Sequence, residues 1–445
     1  MLRRFATGPD LPVTQTDTVD ARYRHYRMRI ILAITMGYAI SYTCRLALNV
    51  VKKPLIDAGI FTPLELGMIG SALFYSYAAG KLINGFVADH TNARLFFTLG
   101  LIASALCNIA MGTSTLFWGT VLIWGLNGWF QSYGAPSCVV ALASWFSNRE
   151  RGRFYGIWST SHSIGEGLTF AIVPALVTLG GWRFGFWGPG AATLLAAAGA
   201  WFALVDRPQT LGLPPVAEWR DDHYGQSVSP AAATTSVFTI QLSILKIPAI
   251  WILALSSAAN YVTRYAINSW GILYLQEARG YSLAEAGGML AASTVAGVIG
   301  ALAFGFISDK AFAARRPPVN LLFGLVEITG LLLLFYGPDD NATTIVALIL
   351  FGLGMTGLVT SIGGLFAIDI CPKRVAGAAL GLIGVFSYIG AAIQEQVSGA
   401  LINAHMTTVA GKHFYDFGPA INVWVGCAVV ATLLSATLWN TKLRD

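Results

Sequence analysis

The sequence predicts an all-α integral membrane protein with twelve transmembrane helices in two pseudo-symmetric six-helix halves. Three observations carry this reading. Of 445 residues, 55% are hydrophobic and 11% are charged, whereas soluble globular proteins hold about 25% charged residues. Apolar runs long enough to cross a bilayer recur twelve times. Polar features on those runs repeat at a nearly constant offset, the mark of an internal duplication.

In chain order, residues 1–27 are polar and basic, lack a cleavable signal pattern and read as a cytoplasmic N-terminal segment. Six spans follow near 28–50, 65–88, 95–113, 116–145, 153–178 and 184–205, forming a first half over 28–205. Residues 206–247 are polar, hold Pro208, Pro214 and Pro215, turn Ser/Thr/Ala-rich from Ser227 to Thr239, and read as a linker. The second half, 248–440, holds spans near 248–275, 284–308, 319–336, 342–369, 375–402 and 419–440, with 441–445 as a tail. Twenty of the 28 Lys and Arg fall on the side of the termini, Lys373, Arg374, Lys442 and Arg444 among them. Five (Lys52, Lys53, Arg183, Arg279, Lys412) fall in the opposite loops and three (Arg45, Lys81, Arg264) inside spans. That bias places both termini and the linker in the cytoplasm of a multi-pass cell (inner) membrane protein. The net charge of +6 follows from this topology, and no nucleic-acid partner is implied. Five scattered cysteines (44, 107, 138, 371, 427) have no metal-ligand or redox spacing. No metal, cofactor or catalytic residue is expected, and with no P-loop or nucleophile triad the chain does not read as an enzyme.

Arg45 poses the functional question. Arg29 lies 16 residues before it and Lys52 seven after it, about 24 Å and 10 Å along a helix. A guanidinium so deep in a bilayer costs at least about 2.5–3.5 kcal/mol. An anionic ligand in a water-filled cavity offsets that cost, and so does a carboxylate elsewhere in the bundle. The pattern recurs: Tyr42 precedes Arg45 by three residues, as Tyr261 precedes Arg264. The two arginines are 219 residues apart. Gly85-Phe86-Val87-Ala88-Asp89 and Gly305-Phe306-Ile307-Ser308-Asp309 are 220 apart, and Arg153-Phe154-Tyr155-Gly156 and Arg374-Val375-Ala376-Gly377 are 221 apart. Arg45 and Arg264 are thus expected to face each other across a pseudo-twofold axis near the midplane.

The two G-x-x-x-D units end the second and eighth spans. Asp89 and Asp309, accepting from Arg94, Arg151 or Lys310, are expected to latch helices at the cytoplasmic face, with each glycine letting two helices approach. These units resemble the loop signature of the major facilitator superfamily, which implies that superfamily's fold. Further stretches resemble its organophosphate:phosphate antiporters. They are Arg45 with Asn49, Tyr77-x-x-x-Lys81-x-x-x-Gly85, Asn127-Gly128-x-x-Gln131, Glu150-Arg151-Gly152, the run from Trp158 to Gly165, and Tyr261-x-x-Arg264-Tyr265-x-x-x-x-Trp270. The segment from Asp206 to Arg220 is most similar to the hexose-phosphate sensor and transporter branch.

The resemblance implies a secondary antiporter that exchanges a phosphorylated metabolite, a hexose phosphate above all, for inorganic phosphate by alternating access. Arg45 and Arg264 would hold the phosphoryl group bidentately, with His162 and Lys81 beside them. Tyr42, Tyr77, Tyr261, Tyr265, Asn127 and Gln131 complete the candidate site. Departures from the family pattern stand at Leu46, Ser269 and Thr294, where charges are usual, and at Ser159 and Ser163. Glu166 in the fifth span and Glu395 in the eleventh are carboxylates where the family has none. Glu166 shares a helical face with His162, leaving open a pair with His162, a pair with Lys81, or contact with a substrate hydroxyl or amine. Glu395 has similar alternatives, and Glu327 is expected to be peripheral. The expected partners are a phosphorylated small molecule, phosphate and the bilayer, with the protein a monomer. The alternatives are a membrane sensor signalling to a histidine kinase and a proton-coupled organic anion importer.

Overall fold

The computed structural model describes residues 7–13, 18–222, 243–313, 315–371, 376–409 and 412–441. Helices follow the apolar runs. In the first half they are α1 (Val19–Asp57), α2 (Pro63–Asp89), α3 (Ala93–Met111), α4 (Phe117–Gln131, continuing as Gly134–Trp145), α5 (Asn148–Gly180) and α6 (Phe184–Ala203). In the second they are α7 (Pro248–Glu277), α8 (Leu283–Ala311), α9 (Arg316–Tyr336), α10 (Asn341–Thr360, continuing through Ser361–Leu365 and Phe366–Ile370), α11 (Ala376–Ala404) and α12 (Gly418–Thr437). By length and apolar composition alone, eight helices among the described residues are able to cross a membrane. Between α11 and α12 a short antiparallel hairpin, β1 (Met406–Val409) and β2 (Lys412–Tyr415), stands where a plain loop is expected.

Local chemistry repeats as the spans do. Thr62 caps α2 in a reciprocal pair with Glu65, and Ser282 caps α8 in the same way with Glu285, 220 residues later. Asn92 caps α3 and Asp340 caps α10. Irregularities also correspond. The fourth span breaks at Ser132–Tyr133, and the tenth loosens into a π-helical stretch at Ser361–Leu365.

The halves meet most closely at the end away from the termini. A Cβ added to Gly67 of α2 would lie 3.0 Å from the Gly399 Cα of α11. Gly287 of α8 backs onto Phe170 and Pro174 of α5. Lys53 of α1 pairs with Glu277 of α7. Nearer the other end, a Cβ at Gly85, Gly156, Gly305 or Gly377 would meet nothing within 4 Å. The glycines of the two G-x-x-x-D units therefore do not bring helices together in this conformation, contrary to the sequence expectation.

The latch differs too. Asp309 accepts from Arg316 at 3.0 Å, and Arg316 also reaches Asp369 at 2.7 Å. Lys310 and Asp89 form no ion pair among the described residues. Arg94 lies over the Trp201 ring at 4.0 Å, and Arg151 donates to the carbonyls of Phe146 and Ala143. Each of these contacts lies within one half. Of the linker, 206–222 lies on the first half, with Trp219 stacked on Tyr23 at 3.9 Å between ring centroids. Residues 223–242, Lys373, Arg374, Lys442 and Arg444 fall outside the described residues.

Candidate substrate-binding site

Arg45 is positioned from behind. Gln131 Oε1 accepts from its Nε at 3.3 Å and its Nη2 at 3.2 Å. The Gln131 amide in turn donates to Ser41 O at 2.9 Å and Ser104 Oγ at 2.7 Å. Asn127 lies deeper still: its Nδ2 donates to Cys44 O at 3.0 Å, and its Oδ1 accepts from Ser104 Oγ at 2.6 Å. Asn127 thus holds the α1 backbone rather than facing the cavity. The guanidinium lies 4.4 Å from the Tyr42 ring and 4.5 Å from the Tyr77 ring. Arg45 is 2% exposed, and its Nη1 has no hydrogen-bond partner among the described residues. A buried, unmatched cationic donor in a membrane interior calls for an anion.

An aromatic bridge runs from this guanidinium to its counterpart. Tyr77 lies 4.4 Å from Tyr388, Tyr388 lies 5.6 Å from Tyr261, and Tyr261 lies 5.7 Å from the Arg264 guanidinium. Tyr265 sits 5.8 Å from Arg264 and packs on Phe74 at 4.4 Å. Lys81 lies 5.5 Å from the Tyr388 ring and against the Gly384 backbone, with no ion-pair partner among the described residues. His162 is caged by Tyr38 at 5.0 Å, Tyr42 at 5.5 Å and Trp158 at 5.3 Å. Its Nδ1 lies 2.9 Å from Ser159 O, which only accepts, so Nδ1 carries the proton and Nε2 is left for another partner.

The new carboxylates find partners that helical faces alone do not reveal. Glu166 pairs neither with His162 nor with Lys81. Its Oε2 accepts from Arg264 Nη2 at 2.7 Å and its Oε1 from Asn268 Nδ2 at 2.7 Å. Arg264 therefore combines a carboxylate partner with a cavity position, and its Nε has no partner among the described residues. Lys52 is the larger correction. Expected in a loop, it lies inside α1 and is 1% exposed. It donates to Glu395 of α11 at 2.8 Å and to Ser269 of α7 at 2.6 Å, with its ammonium 3.6 Å above the Trp270 ring. Glu395 also accepts from Ser269 and from Trp270 Nε1 at 3.1 Å, and Ser269 reaches Asn49 Oδ1 at 3.1 Å. The charges absent at Leu46 and Thr294 are thus matched by a network built elsewhere. Glu327 is buried in α9 against α10, both oxygens without a partner among the described residues, and it does not line the cavity.

Tyr388, Asn268 and Lys52 are not among the residues expected from the sequence. A signal for two of them is present: Tyr38, Tyr42, Arg45, Asn49 and Lys52 recur at steps of four, three, four and three, and Tyr261, Arg264 and Asn268 at three and four. Such a spacing is one helical stripe. Tyr388 carries no such mark.

Among the described residues no group of His, Cys, Asp or Glu is placed to hold a metal ion. A run of aromatic rings joins Arg45 to Arg264 between two related helical halves, with Lys81 and His162 against rings of the same run or of its Arg45 end. The arrangement is that of a membrane carrier built from two related halves.

Residues 34–394 match the family model described as the Major Facilitator Superfamily, and the chain belongs to that superfamily. Within it, the chain belongs to the organophosphate:phosphate antiporter branch. It is 36% identical over 387 residues to the membrane sensor protein UhpC of Salmonella typhimurium, covering 86% of each. It is 31% identical to a "Probable hexose phosphate transport protein" of Chlamydia pneumoniae, covering 97% of this chain and 95% of that one. Among solved structures, a bacterial homologue of the human lysosomal transporter Spinster, in an inward-facing and unoccupied conformation, superposes with a TM-score of 0.75 at 18% identity. That match covers 94% of this chain and 99% of the other, a likeness of fold alone.

Proposed function

We propose that this protein is a carrier that exchanges a phosphorylated metabolite, a hexose phosphate above all, for inorganic phosphate by alternating access. The observation that carries this is the buried, unmatched Nη1 of Arg45, linked through Tyr77, Tyr388 and Tyr261 to Arg264. A phosphoryl dianion needs several charge-assisted donors, and two guanidinium forks supply them. Lys81 and the Nε2 side of His162 add to the same field. Inorganic phosphate and a phosphate ester share the group that is gripped, so either occupies the site in turn. The hexose-phosphate name of a relative that spans nearly the whole chain supports the sugar ester. The close approach of the halves at the end away from the termini, at Gly67 and Gly399, supports a cycle that alternates which end is closed. In this reading both termini lie in the cytoplasm of the inner membrane and the carrier works as a monomer.

The test is phosphate exchange by purified protein in liposomes. Arg45→Lys and Arg264→Lys are each expected to abolish exchange while leaving a folded protein, because an ammonium has no fork. Near-normal exchange in either variant overturns the assignment. A second reading is favoured by the similarity to UhpC: a sensor that binds the ester and signals to a histidine kinase. Ester binding without exchange in the wild type would select the sensor.

A further inference from the structure

Glu166 joins the two halves through the clamp itself. It stands on α5 in the first half, and its Oε2 accepts from Nη2 of Arg264, on α7 in the second, at 2.7 Å. Its Oε1 accepts at 2.7 Å from Nδ2 of Asn268, one helical turn beyond Arg264. The residues around the pair, Ser293, Thr294, Phe351 and Met355 among them, bring no further charge. The other guanidinium has no such partner. Arg45 meets the neutral Gln131 and the rings of Tyr42 and Tyr77, and its Nη1 is unmatched among the described residues. At the 221-residue offset that relates Arg153 to Arg374, the counterpart of Glu166 is Ser387. The Ser387 hydroxyl is bonded inside the second half, to Ser257 and to Ile383 O. The duplicated clamp thus carries one acid and not two.

A buried cation stripped of its counter-ion is strongly destabilised. Where substrate alone matches a pair of arginines, emptying the site strands both, and the occluded state that separates the two open ones is then costly for the empty carrier. Here Arg264 keeps a counter-ion when the ligand leaves, and only Arg45 is stranded. The same carboxylate competes with a phosphoryl group for the Arg264 fork. We propose, taking the phosphate clamp as read above, that Glu166 is a tethered counter-ion. It stands in for the phosphoryl group on Arg264 in the empty carrier, lets the empty carrier reorient, and so permits net flux of phosphate beside exchange.

The experiment compares two fluxes from liposomes that hold the full-length protein and labelled phosphate, with the membrane potential clamped at zero. Dilution into phosphate buffer reads exchange, dilution into phosphate-free buffer reads net efflux, and protein-free liposomes give the background. Wild-type net efflux is expected to stand clearly above that background. In Glu166→Gln the ratio of net efflux to exchange is expected to fall at least about tenfold, equivalent to ~1.4 kcal/mol. Half-saturation by phosphate is expected to fall as well, because the competing charge is gone. Glu166→Gln combined with Asn268→Asp moves the carboxylate onto the helix of Arg264, four residues along, and is expected to return the ratio to within about threefold of the wild type. With exchange intact, wild-type net efflux at background, a ratio unchanged in Glu166→Gln, or a combined variant no better than Glu166→Gln each overturns the proposal. If Glu166→Gln does not reach the membrane folded, the wild-type fluxes and the combined variant decide. If the wild type shows neither flux, the antiport reading fails, and thermal-shift titration with inorganic phosphate judges Glu166 instead. Tighter binding in Glu166→Gln then upholds the tethered counter-ion, and equal or weaker binding overturns it.

Discussion

Lys52 and Glu395 offer the sharpest physical test of the sealed end. Both side chains are 1% exposed and lie on opposite halves, in α1 and α11. Removing one charge leaves the other buried and unmatched, a loss of about 3–5 kcal/mol. For Glu395→Gln the lower figure applies, since a glutamine oxygen still accepts from Lys52 and Trp270, giving ~3 kcal/mol or about a hundredfold in the closed-to-open ratio. Replacing both partners, as Lys52→Met with Glu395→Leu, removes the charge and its mate together and should fall within about 1 kcal/mol of the wild type. Amide hydrogen exchange in the distal turns of α1, α2 and α11 reads this directly. The single variants are expected to lose protection there while the terminal-side turns keep theirs, and the double variant to regain it. A double variant as exposed as the worse single one, or single variants indistinguishable from the wild type, would refute the argument.

Three further outcomes are expected. A Cβ at Gly165 of α5 would collide with Ala39 O and Tyr42 Cβ of α1. Gly165→Ala should therefore cost about 1–3 kcal/mol in unfolding measurements and weaken phosphate binding by displacing the ring under Arg45. Gln131→Ala leaves the Arg45 guanidinium unanchored, and exchange kinetics should show a raised KM for phosphate, with substitution by Glu lowering affinity further through competition for the same cation. Gly85→Ala and Gly305→Ala meet open space here, so thermal stability of this conformation should change by less than about 0.5 kcal/mol. Turnover should nevertheless fall if another helix closes on these glycines during the cycle, and unchanged turnover would show that they never become contact points.

The twelve helices were legible because each follows a predominantly apolar run of bilayer-crossing length, and the pairing of halves because buried arginines and helix-ending acids are rare enough for their repetition to be noticed. The broad site followed from cost: Arg45 and Arg264 needed partners. Partners themselves were less legible. Glu166 shares a face with His162, but a helical face specifies a direction and not the neighbour met across the bundle, and Arg264 and Asn268 occupy that place. Lys52 sits beside Lys53 and Pro54, a triplet that looks like a loop by composition, yet α1 runs on to Asp57 with Pro54 inside it. The stripe from Tyr38 to Lys52 argued the other way, and packing against α7 and α11 decided the matter. Tyr388 lies in a Gly- and Ala-rich helix, where nothing local separates a cavity-facing ring from a packed one.

The interruption of the fourth helix lies one residue beyond Gln131, the side chain that anchors Arg45. A helix resists bending along its hydrogen-bonded length and yields where that ladder is broken or widened. The joint therefore separates an anchor from a lever. If Gly134–Trp145 tilts during transport, Ser132–Tyr133 is where its backbone would yield first, one residue beyond the side chain that anchors Arg45, and the π-helical stretch before Phe366–Ile370 is the counterpart in the other half.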